Sequence, residues 1–191
     1  HVDHRGGGRS SGRETVSRVM AGAVAAQMVQ QIYQNLKITS NPVQIGPLEK
    51  ESLTDSALKD LLVQAKENGK SYGGVTEIRI INPPKNIGQP VFKKIKSELA
   101  SAFMSVGAVS GVSFGAGFEA ARAEGTEFHN SKESKSYGGI RGGITTGEDI
   151  NFQVAFKPTS TVLDTAKKGR HDPCVLLRAQ VVLEAMAWVV L

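Results

Sequence analysis

The residues of this chain with the plainest capacity for chemistry are arginines set among glycines. His4-Arg5-Gly6-Gly7-Gly8-Arg9-Ser10-Ser11-Gly12-Arg13 runs directly into a helical pattern. Glycines let a backbone approach a ligand closely, and the free N–H groups and positive dipole end of a helix start suit an anion. Arg9 and Arg13 add forked donors matched to phosphate or carboxylate. No G-K-[ST] closes the run, so it is not a Walker loop. A mobile loop ahead of a capped helix is the plainer alternative. A second group, Lys157-Pro158-Thr159-Ser160-Thr161, offers one ammonium and three hydroxyls at the exit of a strand pattern. It could hold a phosphate or form an ordinary polar turn. A third, Tyr137-Gly138-Gly139-Ile140-Arg141-Gly142-Gly143, permits close backbone approach, as would any flexible surface loop. A fourth, Gly169-Arg170-His171-Asp172-Pro173-Cys174, sets a histidine between two charges just ahead of an apolar helix.

Composition narrows the ligand. The chain has 23 Lys+Arg against 18 Asp+Glu, a net charge of +5, and the basic residues gather at residues 1–18 and 157–178. If those stretches meet, they form a pocket for a polyanionic small molecule. A solvated charged face is the alternative, and nucleic acid is a rival partner for the same charge. Aromatics are only 6% and none lies among the arginines, so bases would have few stacking platforms and no nucleic-acid partner is expected. Cys174 is the single cysteine. It cannot form an internal disulfide, and with one histidine nearby it makes a poor zinc site, so no metal is expected. A buried, inert thiol is the expectation. The longest apolar stretch, 179–191, is too short to span a bilayer and no signal-peptide pattern is visible, so a soluble cytoplasmic protein is expected.

The elements that must position these groups follow from periodicity. Apolar residues at three- and four-residue spacing predict a long buried helix over 12–36, opened by a Ser11/Glu14 capping box. Asn41-Pro42 and Gly46-Pro47 predict a turn-rich or irregular extended stretch over 40–47. Helices are predicted over 55–68, 91–104 and 179–191, the last buried on nearly all sides. Strands are predicted over 75–81, 108–118 and 152–156, the last half-buried by its alternation. Residues 125–149 read as loop. This mixed order predicts an α+β fold with antiparallel pairing.

Several motifs in one order carry a family resemblance. HRGGGRSSGRETVSRVMAGAVA and GRHDPCVLLRA, the latter followed by Glu184-Ala185-Met186, are similar to two signature regions of chorismate synthases. GGVTEIRIINPPKNIGQPVF, GVSFGAGFEAARAEGTE, YGGIRGGITTGEDI and FKPTST resemble the blocks between them. The resemblance spans essentially all of the chain. It implies helices packed between antiparallel β-sheets (a β-α-β sandwich) and a homotetramer. It also implies conversion of 5-enolpyruvylshikimate 3-phosphate to chorismate, a 1,4-anti elimination of phosphate and the C6 pro-R hydrogen that requires reduced FMN without net redox change. NADPH would enter only where the enzyme reduces its own flavin.

By the same resemblance, flavin contacts fall on Arg9, Ser10, Ser11, Gly107, Ala108, Gly142, Lys157, Pro158, Thr159, Ser160, Thr161 and Arg170. Arg13 matches a substrate-binding arginine. Asp172 matches an aspartate near flavin N5 that is proposed to assist proton removal, and Arg170 stands with it at the reacting face. The family's two catalytic histidines belong to N-terminal motifs this chain does not contain, and neither His4 nor His171 replaces them. Residues 1–191 therefore read as a single-domain fragment lacking its N-terminal part, inactive alone; a non-catalytic flavin- or anion-binding module is the alternative. Gly107 stands where many members have Asn, Gln180-Val181 where Val-Pro is common, and segments 130–137 and 162–168 are short.

Overall fold

The structure, a computed structural model, describes residues 11–130, 134–167 and 171–191. A 3-10 turn, Gly12–Glu14, leads into helix α1 (Thr15–Ile32). Strands β1 (Lys37–Ile45) and β2 (Leu48–Glu49) follow, then α2 (Asp55–Glu67), β3 (Gly74–Ile81), α3 (Ile95–Met104) and β4 (Val109–Phe114). The remainder comprises α4 (Gly125–Asn130), the hairpin β5 (Ile140–Arg141) and β6 (Ile144–Thr145), β7 (Ile150–Phe156), α5 (Asp164–Lys167) and α6 (Leu176–Val190). Five strands form one sheet in the order β2-β1-β3-β7-β4, and every pairing is antiparallel. The fold is α+β, as the sequence predicts.

Alternation explains how the sheet meets the helices. In β7, Ile150, Phe152, Val154 and Phe156 are buried, while Gln153 between them is exposed. With Ile78 and Ile80 of β3 they form an apolar face that receives Leu99 and Phe103 of α3 and Leu176, Val182 and Leu183 of α6. Phe103 meets Phe152 edge to face at 5.3 Å, the geometry the ring quadrupole favours. Helix α1 stacks on α6. Thr76, fully buried in β3, satisfies its hydroxyl with Asn41 O (3.0 Å) and Gln180 Nε2 (3.3 Å), which locks α6 to the sheet.

Four expectations need correction or refinement. Residues 40–47 are turn only at Gly46-Pro47, which joins β1 to β2; 40–45 belong to β1 and are the irregular extended stretch, with a register shift between Pro42 and Gln44 that accommodates the proline, which has no N–H for the ladder. Helix α1 is not a buried helix, because Gly22 is its one buried residue. Val16, Met20, Val24, Met28 and Ile32 form a stripe at four-residue spacing that is 59–74% exposed, since only the opposite face meets α6. The capping box does not close. Ser11 Oγ accepts from Arg13 N, whereas the Glu14 carboxylate turns to Arg18 Nε at 3.0 Å. Helix α3 starts at Ile95 rather than 91, and Phe92 lies in the preceding turn, 87% exposed. Two further segments differ in part: α4 and the β5–β6 hairpin lie inside the stretch read as loop, and α6 leaves Val181 and Val189 half exposed. Helices α3 and α6 pack on the five-stranded sheet and α1 packs on α6; among the described residues the only other sheet is the two-stranded β5–β6.

Candidate functional site

Three chain reversals build one wall of a cleft. Helix α2 is capped by Thr54, whose hydroxyl accepts from Ala57 N–H (3.3 Å), and ends in a Schellman turn. Gly69 takes φ +60°, Gly69 N–H donates to Lys66 O (3.3 Å) and Lys70 N–H to Ala65 O (2.7 Å), which satisfies the helix's last carbonyls. This turn anchors the segment after β7. Leu163 N–H donates to Gly69 O (2.7 Å) and Ser71 Oγ to Thr159 O (2.7 Å). Thr159 Oγ1 in turn donates to the carbonyl of Asp172 (2.9 Å), and Tyr72 N–H to Pro173 O (2.8 Å). The loops at 69–72, 157–163 and 171–173 thus hold one another through hydrogen bonds onto backbone carbonyls.

The facing wall comes from the start of α1 and the turn after α3. Arg18 reaches from α1 to Ser105, donating from Nη1 to Oγ (2.6 Å) and from Nη2 to the carbonyl (3.3 Å), while its Nε holds Glu14. Just beyond, Ala108 has φ +71°, a conformation costly for any residue with a Cβ, at about 1–3 kcal/mol. The conformation is sustained by Val109 N–H on Val106 O (3.2 Å) and Lys157 N–H on Ala108 O (3.0 Å). Gly107 is different: its φ is not positive, and a Cβ there would meet nothing within 4 Å. It leaves open space at the cleft edge.

Between the walls lies a cleft of about 1520 Å³. Ser11 and Arg13, Gly107 and Ala108, all of Lys157, Pro158, Thr159, Ser160 and Thr161, and Asp172 line it. The structure therefore brings together stretches near both ends of the chain. Arg9, Ser10 and Arg170 lie outside the described residues. Gly142 does not line this cleft; it occupies the β5–β6 turn with φ +61°. Arg13, Arg18, Lys66, Lys157 and Arg178 face three carboxylates, those of Glu14, Glu67 and Asp172. Two of the carboxylates are committed, Glu14 to Arg18 and Asp172 to Arg178 (Nε–Oδ2 3.5 Å). The lining accordingly favours an anion.

Asp172 is held on both oxygens, since Oδ1 also accepts from Cys174 N–H (3.2 Å). Cys174 itself is buried, as expected. Burial pushes its thiol above the ordinary range, outweighing the backbone N–H groups of Leu176 and Leu177 that act the other way, so it remains a neutral thiol. Sequence reasoning missed Ser105 and Lys66 as lining residues, and counted Arg18 and Arg178 only as charge. A Glu14/Arg18 pair at i,i+4 was the one local signal; the reach to Ser105 had none.

The chorismate synthase family model matches residues 1–191. A chorismate synthase from Bdellovibrio bacteriovorus is 54% identical over all of this chain, and one from Saccharolobus solfataricus is 38% identical over 96% of it. A crystal structure of chorismate synthase superposes with a TM-score of 0.80 at 31% identity, covering 94% of this chain and 62% of that one. The chain spans 62% of the Bdellovibrio protein's length and 58% of the Saccharolobus protein's. Ordered motifs, the antiparallel α+β fold and the agreement over the whole chain lead to one assignment: this chain belongs to the chorismate synthase family.

Proposed function

We propose that the protein containing this chain converts 5-enolpyruvylshikimate 3-phosphate to chorismate by 1,4-anti elimination of phosphate, with reduced FMN bound in the cleft. The observation that carries this reading is the meeting of Arg13, Ala108, residues 157–161 and Asp172 around one cation-rich cleft. Its volume of about 1520 Å³ exceeds the roughly 300–1,000 Å³ of a pocket for a single small ligand, which suits a cofactor and a substrate side by side.

The donor set suits the flavin's phosphate. Lys157 offers an ammonium with no carboxylate partner among the described residues, and Thr159, Ser160 and Thr161 flank it on a loop already pinned at Ser71 and Asp172. The open space at Gly107 suits close approach of a flat ring. Reduced FMN bound there would supply electron density for phosphate departure with no net redox change.

Arg13 would hold the substrate's anionic groups through its fork. Charge gathers on the phosphate oxygens as the C–O bond breaks, and fixed cations in the cleft stabilise that charge without reorganising. Asp172 would receive the proton. The Cys174 N–H and Arg178 orient its carboxylate, and the Thr159 hydroxyl fixes its backbone. Arg170 is assigned to the same face, and Arg9 and Ser10 to flavin contact, on the resemblance alone; Ser11 lines the cleft as well, and Gly142, which does not line it, keeps its flavin assignment only by the resemblance.

We infer that residues 1–191 form part of each subunit of a cytoplasmic homotetramer. The exposed stripe of α1 supports this chain being part of a larger assembly, and without the histidines of the family's N-terminal motifs it would be inactive alone. The test is to give full-length protein dithionite-reduced FMN and 5-enolpyruvylshikimate 3-phosphate, and to follow chorismate by ultraviolet absorbance alongside released phosphate. Flavin binding with neither product would reduce the protein to a binding module.

A further inference from the structure

Arg18 lines the cleft, yet its guanidinium is engaged inside the protein. Its side chain is 24% exposed, and its donors reach separate elements. Nε–H donates to Glu14 Oε2 (3.0 Å), Nη1 to Ser105 Oγ (2.6 Å) and Nη2 to Ser105 O (3.3 Å). Nη1 also lies 3.8 Å from Met186 Sδ of α6. The fork formed by Nη1 and Nη2, the part that clamps a phosphate or carboxylate elsewhere, closes here on Ser105. The Ser105 hydroxyl has one hydrogen, which it gives to Ala102 O (2.6 Å). Its oxygen is therefore left to accept from Arg18, and the two bonds run in one direction, from α1 into the end of α3.

That end of α3 has no cation of its own. Ser105 is the C-cap, and the helix's last turn contains no basic residue. A guanidinium on the Ser105 carbonyl satisfies a terminal acceptor and opposes the negative end of the helix dipole. Immediately beyond lie Gly107 and Ala108, which line the cleft, and Ala108 O accepts from Lys157 N–H (3.0 Å). The φ of +71° at Ala108 persists only where its surroundings over-determine it, and the Arg18 fork is one of those supports. At the other end of the same tie, the turn that leads into α1 carries Arg13. We propose that Arg18 is a positioning residue. Acting through Ser105, it fixes the 105–108 turn, which seats the flavin, against the helix whose lead-in turn presents Arg13 to the substrate. This inference rests on the flavin reading above.

The test uses full-length protein with Arg18→Lys, Ser105→Ala and the double variant. Lysine keeps the charge and loses the fork, whereas Ser105→Ala leaves every cation of the cleft in place. At saturating reduced FMN, kcat for chorismate formation is expected to fall about tenfold in Arg18→Lys and a few-fold in Ser105→Ala. KM for 5-enolpyruvylshikimate 3-phosphate should stay within about twofold of wild type in both. The double variant should lie within about twofold of Arg18→Lys alone, because the two residues act through one contact. A KM that rises with kcat unchanged marks direct contact with the substrate and overturns the proposal. So do kcat losses that multiply in the double variant, and a lowered Tm with unchanged kinetics, which marks a structural role only. Turnover like wild type in both single variants overturns it as well. If Arg18→Lys does not fold, the kcat-against-KM split of Ser105→Ala decides alone. If wild type neither binds FMN nor forms chorismate, the functional reading fails separately. Hydrogen exchange of the peptide covering 105–109 in ligand-free protein then decides for Arg18: faster exchange in both variants supports the tie to that turn, and unchanged exchange overturns it.

Discussion

Gly22 sits where α1 crosses α6, and a Cβ built on it would lie 2.5 Å from both Cα and Cβ of Ala185 and 2.8 Å from its carbonyl oxygen. Intrinsic propensity alone says that Gly22→Ala should stabilise the helix by about 1 kcal/mol. The contact geometry says the opposite. Carbon atoms pack at about 3.5–4.0 Å, so the helices must separate by about an ångström or the backbone must shift, at about 1–3 kcal/mol for overpacking of this kind. The clash should outweigh the propensity gain, leaving a net loss of about 1 kcal/mol for alanine and more for Gly22→Val. Urea unfolding of the full-length protein, read as the midpoint at constant slope, measures it. Ala23→Gly on the exposed side supplies the propensity term without the clash. Adding Ala185→Gly should recover only part of the loss, because two of the three offended atoms belong to the backbone. Since the turn that leads into α1 carries Arg13 at the cleft, substrate affinity should fall along with stability. A midpoint that rises on Gly22→Ala would refute the close crossing of the two helices.

Three other outcomes follow from the site. Asp172→Ala should slow turnover by at least tenfold while leaving FMN affinity within about twofold, because Thr159 donates to the residue's backbone carbonyl rather than its carboxylate; unchanged turnover removes Asp172 from the reaction. Gly107→Asn should be tolerated without loss of thermal stability, since its Cβ meets nothing, while weakening FMN binding a few-fold by filling the space the ring needs; unchanged or tighter binding would show the space is not used by the flavin. Cys174 has its thiol pKa raised by burial relative to the unfolded chain, so the folded state favours the protonated form. Its contribution to stability is complete below about pH 8.5 and is lost as pH rises through the folded value, so native protein should resist alkylation at mildly alkaline pH until denatured, and Cys174→Ser should flatten the alkaline stability slope.

Much of the site was legible because its residues lie in short motifs whose chemistry is local. A glycine-arginine run ahead of a helix, an ammonium with three hydroxyls after a strand, and Arg-His-Asp ahead of an apolar helix each announce themselves within a few residues. Strand β7 was legible for the same reason, as alternation reports which face is buried. Strand β1 was legible only as one of two options, because local chemistry at Asn41-Pro42 fits a turn as well as an irregular extended stretch. Pairing with β3 along 37–45 decides for the strand and absorbs the proline at a shift in register. The exposure of α1 was not legible, because periodicity marks an apolar stripe without saying what covers it.

By itself, then, the sequence determined the family, through ordered motifs over the whole chain, and which segments carry charge, hydroxyls and a carboxylate. Only the tertiary structure decided that segments more than a hundred residues apart share one cleft, that Gly142 does not line it, and that Arg18 reaches Ser105. It alone placed His171 between two carbonyls. The physical reason is that propensity, capping and charge act over a few residues of chain, whereas a hydrogen bond between Lys70 and His171 exists only after β3, β7 and α6 have packed and fixed the loops between them.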